Sequence, residues 1–381
     1  MKQERNHFYN PVRICQGDGA LKDFRTLVEE MEEKPGRVLI LARSEDTFDM
    51  EEIRQVLESF QDCQVTRRVF TQAEPDLTQL YQMYEETCKE TVDLVVGIGG
   101  GSTLDVAKSL CCLYASRPDS VDTLRRMIVE KELKKPACRW IGIPTTAGTG
   151  SEVTCWATIW DREKNQKLSI DRQDNYAYAA FEDPALTVTM PLNLAVSSAL
   201  DAMAHAAEAY WSKHTNVVSR SLALTAIREI MEWLPVLIEN PKDLECHRHM
   251  GCGSMMAGLA FSNTRTTACH SISYPLTLSY HIPHGIAVSM LIAPVMDINI
   301  SHLEEPDRFA QAFGVSGPEQ VGEKIRKLLA KAGIPARLRD WGVREEELSD
   351  VSSRCFTKGR MDNNPVELSK AQVEEILRQI F

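Results

Sequence analysis

Through the first half of the chain, short apolar runs of strand length alternate with stretches of helical periodicity, and then the strand-type runs stop. Residues 38–42, 65–70, 93–98 and 140–143 are the apolar runs. Helical spacing falls around Ile53, Leu57 and Phe60, over residues 77–87, and from Leu104 to about Tyr114. A strand apolar on both faces must be covered on both, so such runs separated by helices imply βαβ units and a mostly parallel sheet. Ahead of them, Val12 and Ile14 lead into a Gly17-Asp18-Gly19 turn and a helical stretch through Leu27 and Met31, which Pro35-Gly36 ends. Beyond Asp183-Pro184 only helical patterns follow, over residues 192–213, 219–237, 246–261, 268–278, 285–296 and 321–332. A chain of 381 residues is long enough for two cores. The expected organisation is an α/β domain over residues 1–184 and an all-helical domain over 185–381.

Composition narrows the function classes. A net charge of −11 argues against a nucleic-acid partner. No apolar run approaches the roughly 20 residues of a membrane span, and the polar start Met-Lys-Gln-Glu-Arg-Asn-His lacks a signal-peptide core. Eleven scattered cysteines include no C-x-x-C pair, which points to free thiols in a reducing, cytoplasmic setting.

Three stretches carry chemistry. In S-A-L-D-A-M-A-H-A-A-E-A-Y, Asp201 and His205 stand at i and i+4 of an Ala-rich helical run, one turn apart on one face. Such a pair alone is commonly a surface hydrogen bond, but among small apolar residues it faces the interior, where a charge needs a partner or a metal. His270 and His284 follow, and one carboxylate with three imidazoles can enclose a divalent metal and leave a position for a substrate oxygen. Gly97-x-Gly99-Gly100-Gly101-Ser102 lies between an apolar run and a helix, where glycines admit a pyrophosphate to a helix N-terminus. It is not the G-x-G-x-x-G fingerprint. Thr145-Thr146-Ala147-Gly148-Thr149-Gly150-Ser151 also follows a strand, and the two loops together fit a dinucleotide lying across a sheet edge.

Gly99-Gly100-Gly101-Ser102 with Asp105 and Lys108, then P-T-T-A-G-T-G-S-E-V-T, D-A-M-A-H-A-x-E-A-Y and H-x13-H-G, together resemble the group III metal-dependent ("iron-containing") alcohol dehydrogenases over nearly the whole chain. That resemblance implies a dinucleotide-binding α/β domain and a helical domain of dehydroquinate synthase-like architecture, with the site in the cleft between them. It implies metal ligands at Asp201, His205, His270 and His284, with Zn or Fe as the metal. Cofactor contacts would come from Gly99, Gly100, Gly101, Ser102, Asp105, Thr145, Thr146, Thr149 and Lys167. Thr154, Phe261, Arg265 and Arg360 would face the substrate.

Two departures from the family pattern matter. Many members have a second His where this chain has Tyr274, so proton relay falls to Tyr274 or His281 with water. NAD-preferring members carry Asp near the end of the first strand, where this chain has Ala42-Arg43-Ser44. The Arg suits a 2′-phosphate and the following Glu45 and Asp46 oppose one, so NAD is expected and NADP stays open. The runs H-S-I-S-Y-P-L-T and G-R-M-D-N-N-P-V resemble a subgroup reducing sulfoacetaldehyde or phosphonoacetaldehyde. The expected activity is reduction of a small anionic C2 aldehyde, sulfoacetaldehyde to isethionate ahead of the phosphonate. A general short-chain alcohol or diol dehydrogenase is the alternative, and a dehydroquinate synthase-like lyase a remoter one. A homodimer is expected, with the aldehyde or alcohol as its small-molecule partner and neither nucleic acid nor membrane.

Overall fold

The computed structural model describes residues 7–164 and 166–381. Residues group into two compact units. One comprises Asn10–Thr146 and Ser151–Thr187; the other comprises Val188–Phe381 with Ala147–Gly150 and residues 7–9.

The first unit is α/β. Its elements run β1 (Arg13–Gln16), α1 (Phe24–Glu29), β2 (Arg37–Ala42), α2 (Glu51–Glu58), β3 (Gln64–Val69), α3 (Leu77–Thr87), β4 (Leu94–Gly99), α4 (Gly101–Ser116), α5 (Val121–Val129), β5 (Arg139–Pro144), β6 (Trp156–Asp161), β7 (Gln166–Asp171) and β8 (Ala179–Glu182). Six strands form one sheet in the order β1-β8-β5-β4-β2-β3, every pairing parallel, while β6 and β7 make a separate antiparallel hairpin. The double-sided apolar runs explain the layering. Val38, Ile40 and Ala42 of β2 pack with Phe24, Ile53 and Phe181 on one face; Leu39 and Leu41 pack with Leu80, Leu104 and Leu110 on the other. β3 lies to one side of β2 and the chain then crosses to β4 on the other, so the loops after β2 and β4 diverge at a topological switch point.

The second unit is all-helical: α6 (Leu192–Trp211), α7 (Val217–Glu239), α8 (Leu244–Thr264), α9 (Ala268–Tyr280), α10 (His284–Asn299), α11 (Pro306–Ala312), α12 (Val321–Lys331), α13 (Leu348–Ser353) and α14 (Lys370–Gln379). α6 is buried along most of its surface and packs against α7, α8 and α10, which its small alanines permit. Against the expectation from the sequence, one described segment is long and apolar enough to cross a membrane. It is His284–His302, with mean hydropathy 1.3, and its window is 67% buried within the protein as a core helix.

Candidate functional site

Asp201 on α6, His270 on α9 and His284 at the start of α10 converge, with one ligand atom from each lying within 4.8 Å of the others. The approach of α10 to α6 depends on Gly285. A Cβ there would stand 1.8 Å from the Ser197 carbonyl oxygen, so only glycine lets the residue beside His284 rest on the α6 backbone. Asp201 Oδ1 lies 3.4 Å from His270 Nε2 and 3.8 Å from His284 Nε2. Two ligands about 2.1 Å from a tetrahedral ion stand about 3.4 Å apart, so the spacing fits a shared cation. Asp201 Oδ1 and His270 Nε2 are buried and have no hydrogen-bond partner among the described residues. Burial would raise the Asp201 carboxyl, but His205, His284 and His270 outweigh it and hold it well below the usual carboxylate range. Burial would likewise lower the His270 imidazole, yet Glu208 and Asp201 hold it up at about 9. A pocket that draws a proton so strongly suits a divalent cation, and its oxygen and imidazole donors suit Zn²⁺ or Fe²⁺. The neighbouring Cys269 thiol is no ligand. Burial and Glu208 push it well up, and its Sγ turns to the Leu291 carbonyl.

His205 is placed differently from its expected partners. It is stacked between Phe261 (4.1 Å between centroids) and His270 (4.5 Å), with Nδ1 4.0 Å from Asp201 Oδ2, outside the converging set of three. Tyr274 stacks on His284 at 5.7 Å. His281 is exposed at the C-cap of α9 in a left-handed conformation, and no contact from it to Asp201 or the three imidazoles is present among the described residues. Glu208 was not singled out by the sequence. It is fully buried, its Oε2 meets His270 Nδ1, and its Oε1 accepts from Thr267 Oγ1 and the Cys269 amide, both at 2.7 Å. The signal was available: Glu208 is two turns beyond Asp201, on the same face of α6.

The α/β unit supplies a cradle at the C-terminal ends of β4 and β5. Gly99 pairs with Pro144, and the Thr145 amide donates to the Gly99 carbonyl at 3.0 Å. A Cβ at Gly99 would strike Thr103 at 2.5 Å, so that glycine serves helix packing. Gly100 differs: its φ of −74° suits any residue, and a Cβ would meet only the Thr146 side chain, at 3.3 Å. Nothing inside the fold demands glycine there, which fits close approach by a ligand. Thr145 Oγ1 is buried without a partner among the described residues, and the N-terminus of α4 begins at Gly101. Dinucleotide pyrophosphate therefore fits this strand–loop–helix. Ser102 Oγ accepts from the Glu74 amide at 3.2 Å. Asp105 binds Ser151 Oγ (2.6 Å) and the Thr158 amide (2.8 Å), and Thr154 Oγ1 lies 3.3 Å from the Nζ of fully buried Lys108; both are engaged within the protein. Lys167 lies on β7 with Nζ 5.8 Å from the Trp160 ring centroid. Thr149 is half-buried and groups with the helical unit.

Arg265 and Arg360 belong to one knot in the helical unit. Arg265 ends α8 with φ 62° and ψ 175°, a region occupied almost only by glycine. The Asn363 amide grips the carbonyls on either side, donating to Thr264 O (2.8 Å) and Thr266 O (3.0 Å), and its own N–H donates to Arg360 O (3.0 Å). Thr266 Oγ1 is buried with no partner among the described residues. Ser271, beside His270, ties the same loop down by accepting the Thr357 N–H at 2.9 Å. Two amides near these arginines in sequence, Asn263 and Asn364, are committed within the protein. Asn364 makes a reciprocal amide pair with Asn299, and Asn263 holds the backbone of Tyr9.

Residues 11–184 match the family described as iron-containing alcohol dehydrogenase, and residues 195–381 match the C-terminal region of the Fe-containing alcohol dehydrogenase family. Long-chain-alcohol dehydrogenase 1 of Geobacillus thermodenitrificans is 32% identical over 76% of this chain and 75% of its own. NAD-dependent methanol dehydrogenase of Bacillus methanolicus is 29% identical over 98% of this chain and 99% of its own. The crystal structure of sulfoacetaldehyde reductase from Bifidobacterium kashiwanohense, in complex with NAD+, is similar with a TM-score of 0.89 at 26% identity, covering 99% of this chain and 98% of that one.

Proposed function

Because the chain belongs to the iron-containing alcohol dehydrogenase family, we propose that it is a metal-dependent, NAD(H)-linked reductase of a small anionic aldehyde, with sulfoacetaldehyde, reduced to isethionate, as the favoured substrate. Family membership makes it an oxidoreductase and sets the lyase alternative aside. The observation that carries the anionic reading is Arg265, held in a strained backbone conformation five residues before His270. Strain of this kind persists only where its surroundings impose it, and here Asn363 does so from both sides. A guanidinium carried on that held backbone, with the Thr266 hydroxyl beside it in sequence and Arg360 on the same knot, suits a tetrahedral oxyanion head. Likeness to the sulfoacetaldehyde reductase structure supports a sulfonate over a phosphonate.

In this reading Asp201, His270 and His284 would hold a divalent ion, and His205, now stacked between Phe261 and His270, would join as a fourth ligand only by turning toward it. Such an ion supplies polarisation of a carbonyl oxygen, and the nicotinamide supplies the hydride. The chain's own residues do the rest. Gly100 and Thr145 seat the pyrophosphate, Tyr274 lies against His284 to pass a proton to the nascent alcohol, and Phe261 with Tyr274 keeps the pocket apolar. NADH is preferred over NADPH, since Glu45 and Asp46 are exposed after β2 beside Arg43 and repel a 2′-phosphate. A homodimer is part of the proposal. The second reading, a neutral alcohol or diol dehydrogenase, draws on the methanol and long-chain-alcohol relatives. A panel of C2 and C3 aldehydes assayed with NADH separates the two. Arg265→Ala or Arg360→Ala should lower kcat/KM for the anionic aldehyde roughly tenfold to a hundredfold, as loss of one charge-assisted contact does, and spare propionaldehyde. A wild type that prefers neutral substrates, or variants that lose every substrate alike, would rule the anionic reading out.

A further inference from the structure

We propose that Glu208 is a positioning residue for the metal site, locking His270 into the tautomer that presents Nε2 to the ion and welding that imidazole to the start of α9. The inference rests on the reading of Asp201, His270 and His284 as metal ligands. Glu208 lies on α6, which also carries Asp201, so one helix supplies both a ligand and the group that orients another. Thr267 is the N-cap of α9, yet its side chain makes no capping hydrogen bond to that helix. Glu208 does the capping instead, from a different helix. Its Oε1 accepts the amides of Cys269 (2.7 Å) and His270 (3.3 Å), the second and third residues of α9. It also accepts the Thr267 hydroxyl, which in turn accepts the Trp211 indole N–H at 2.9 Å. A carboxylate at that end of a helix meets orphan donors and the positive end of the helix dipole.

The remaining oxygen, Oε2, meets His270 Nδ1. An oxygen acceptor at Nδ1 keeps a ring proton there, so Nε2, 3.4 Å from Asp201 Oδ1, is the nitrogen that would give up its proton and present a lone pair to the ion. Backbone and ring of His270 are thus both fixed by one side chain.

Glu208→Gln discriminates positioning from packing. The amide oxygen can keep the three bonds at Oε1, while its NH2 replaces Oε2, donates to Nδ1 and pushes the ring proton onto Nε2. Zn²⁺ affinity of the chelator-stripped protein, measured by equilibrium dialysis, should fall about 10- to 100-fold in Glu208→Gln. The thermal midpoint of the stripped variant should stay nearer the wild type than that of Glu208→Ala. The Co²⁺ absorption spectrum should change as well. If Glu208→Gln binds Zn²⁺ within twofold of wild type and only Glu208→Ala is impaired, Glu208 is a packing residue and the proposal fails alone. If the wild type binds neither Zn²⁺ nor Fe²⁺, the metal-site reading falls and takes the proposal with it. Should Glu208→Gln not fold, spectra of the zinc-loaded wild type labelled with 15N-histidine decide. The proposal requires His270 protonated at Nδ1 and metal-bound at Nε2, and the reverse assignment overturns it.

Discussion

On the proposed reading, Arg265 would couple stability to specificity in a single residue. Its left-handed φ costs about 1–3 kcal/mol that glycine would not incur, while glycine returns about 0.5–1 kcal/mol of chain entropy to the unfolded state. Arg265→Gly should therefore raise stability in urea by about 1 kcal/mol and still cut kcat/KM for the anionic aldehyde at least tenfold. A variant that is both less stable and equally impaired on neutral aldehydes would show that the side chain serves packing. Glu152 makes a different argument, through protonation. Burial lifts its carboxyl from 4.5 to about 7, against the opposing pull of its own backbone amide and of Lys108. Between those two values the folded chain keeps a proton that the unfolded chain has released. The stabilisation is complete below pH 4.5 and is lost as pH rises through 7. From pH 5.5 to 8 this group should remove about 2 kcal/mol of unfolding free energy. Glu152→Gln should flatten that part of the profile in urea melts; an unchanged slope would assign the dependence to another group, such as Glu182, which burial also raises.

At the level of elements, the glycine loop tests whether a strand–loop–helix is built for itself or for a ligand. Gly100→Ala places a methyl group where the fold offers only a slightly tight contact with Thr146. NADH affinity should drop by tenfold or more in fluorescence titration while the thermal midpoint moves by a few degrees at most. Unchanged affinity would remove Gly100 from the cofactor site. The same scale shows which elements the sequence announced. β2, β4 and β5 are apolar on both faces and stand out as uninterrupted runs, and α6 to α10 carry long periodic patterns. β1 (RICQ) and β8 (AAFE) are four residues each with no such signature; β8 becomes a strand by pairing with β5 and β1, and β1 by pairing with β8. The hairpin of β6 and β7 does carry a local signal: WATIWD is rich in aromatic and β-branched residues and QKLSID alternates apolar with polar, while β6 packs under α4 and α3 and β7 against α5. In the candidate site, Asp201, His270 and His284 were legible as residue types, and their convergence is seen in the fold. The stacking of His205 and the capping by Glu208 join residues 56 to 65 positions apart through packing of α6, α8 and α9, which no local pattern encodes.

For the whole molecule, the change from alternating strands and helices to helices alone was legible because both halves are long and consistently patterned, so many weak signals agree. Net charge is also a property of the whole, and it works against the proposed substrate. A charge of −11 repels an anionic aldehyde at long range, and on the proposed reading Arg265 and Arg360 would attract it only close by. Salt separates the two contributions. Raising ionic strength from about 0.01 to 0.15 M shortens the Debye length from about 30 to about 8 Å, which removes most of the distant repulsion and leaves contact-range pairs largely intact. For a sphere of about 25 Å radius the change in potential is about 0.5 kcal/mol per unit charge. At saturating NADH, kcat/KM for a sulfonated aldehyde should therefore rise about two- to threefold over that range, and kcat/KM for propionaldehyde should hold steady. In Arg265→Ala the rise should persist from a lower baseline, since the distant field is intact and only the local cation is gone. A kcat/KM that instead falls steeply with salt would mean that an extended basic surface, not two fixed guanidiniums, captures the substrate, and the pairing of Arg265 with Arg360 would have to be abandoned.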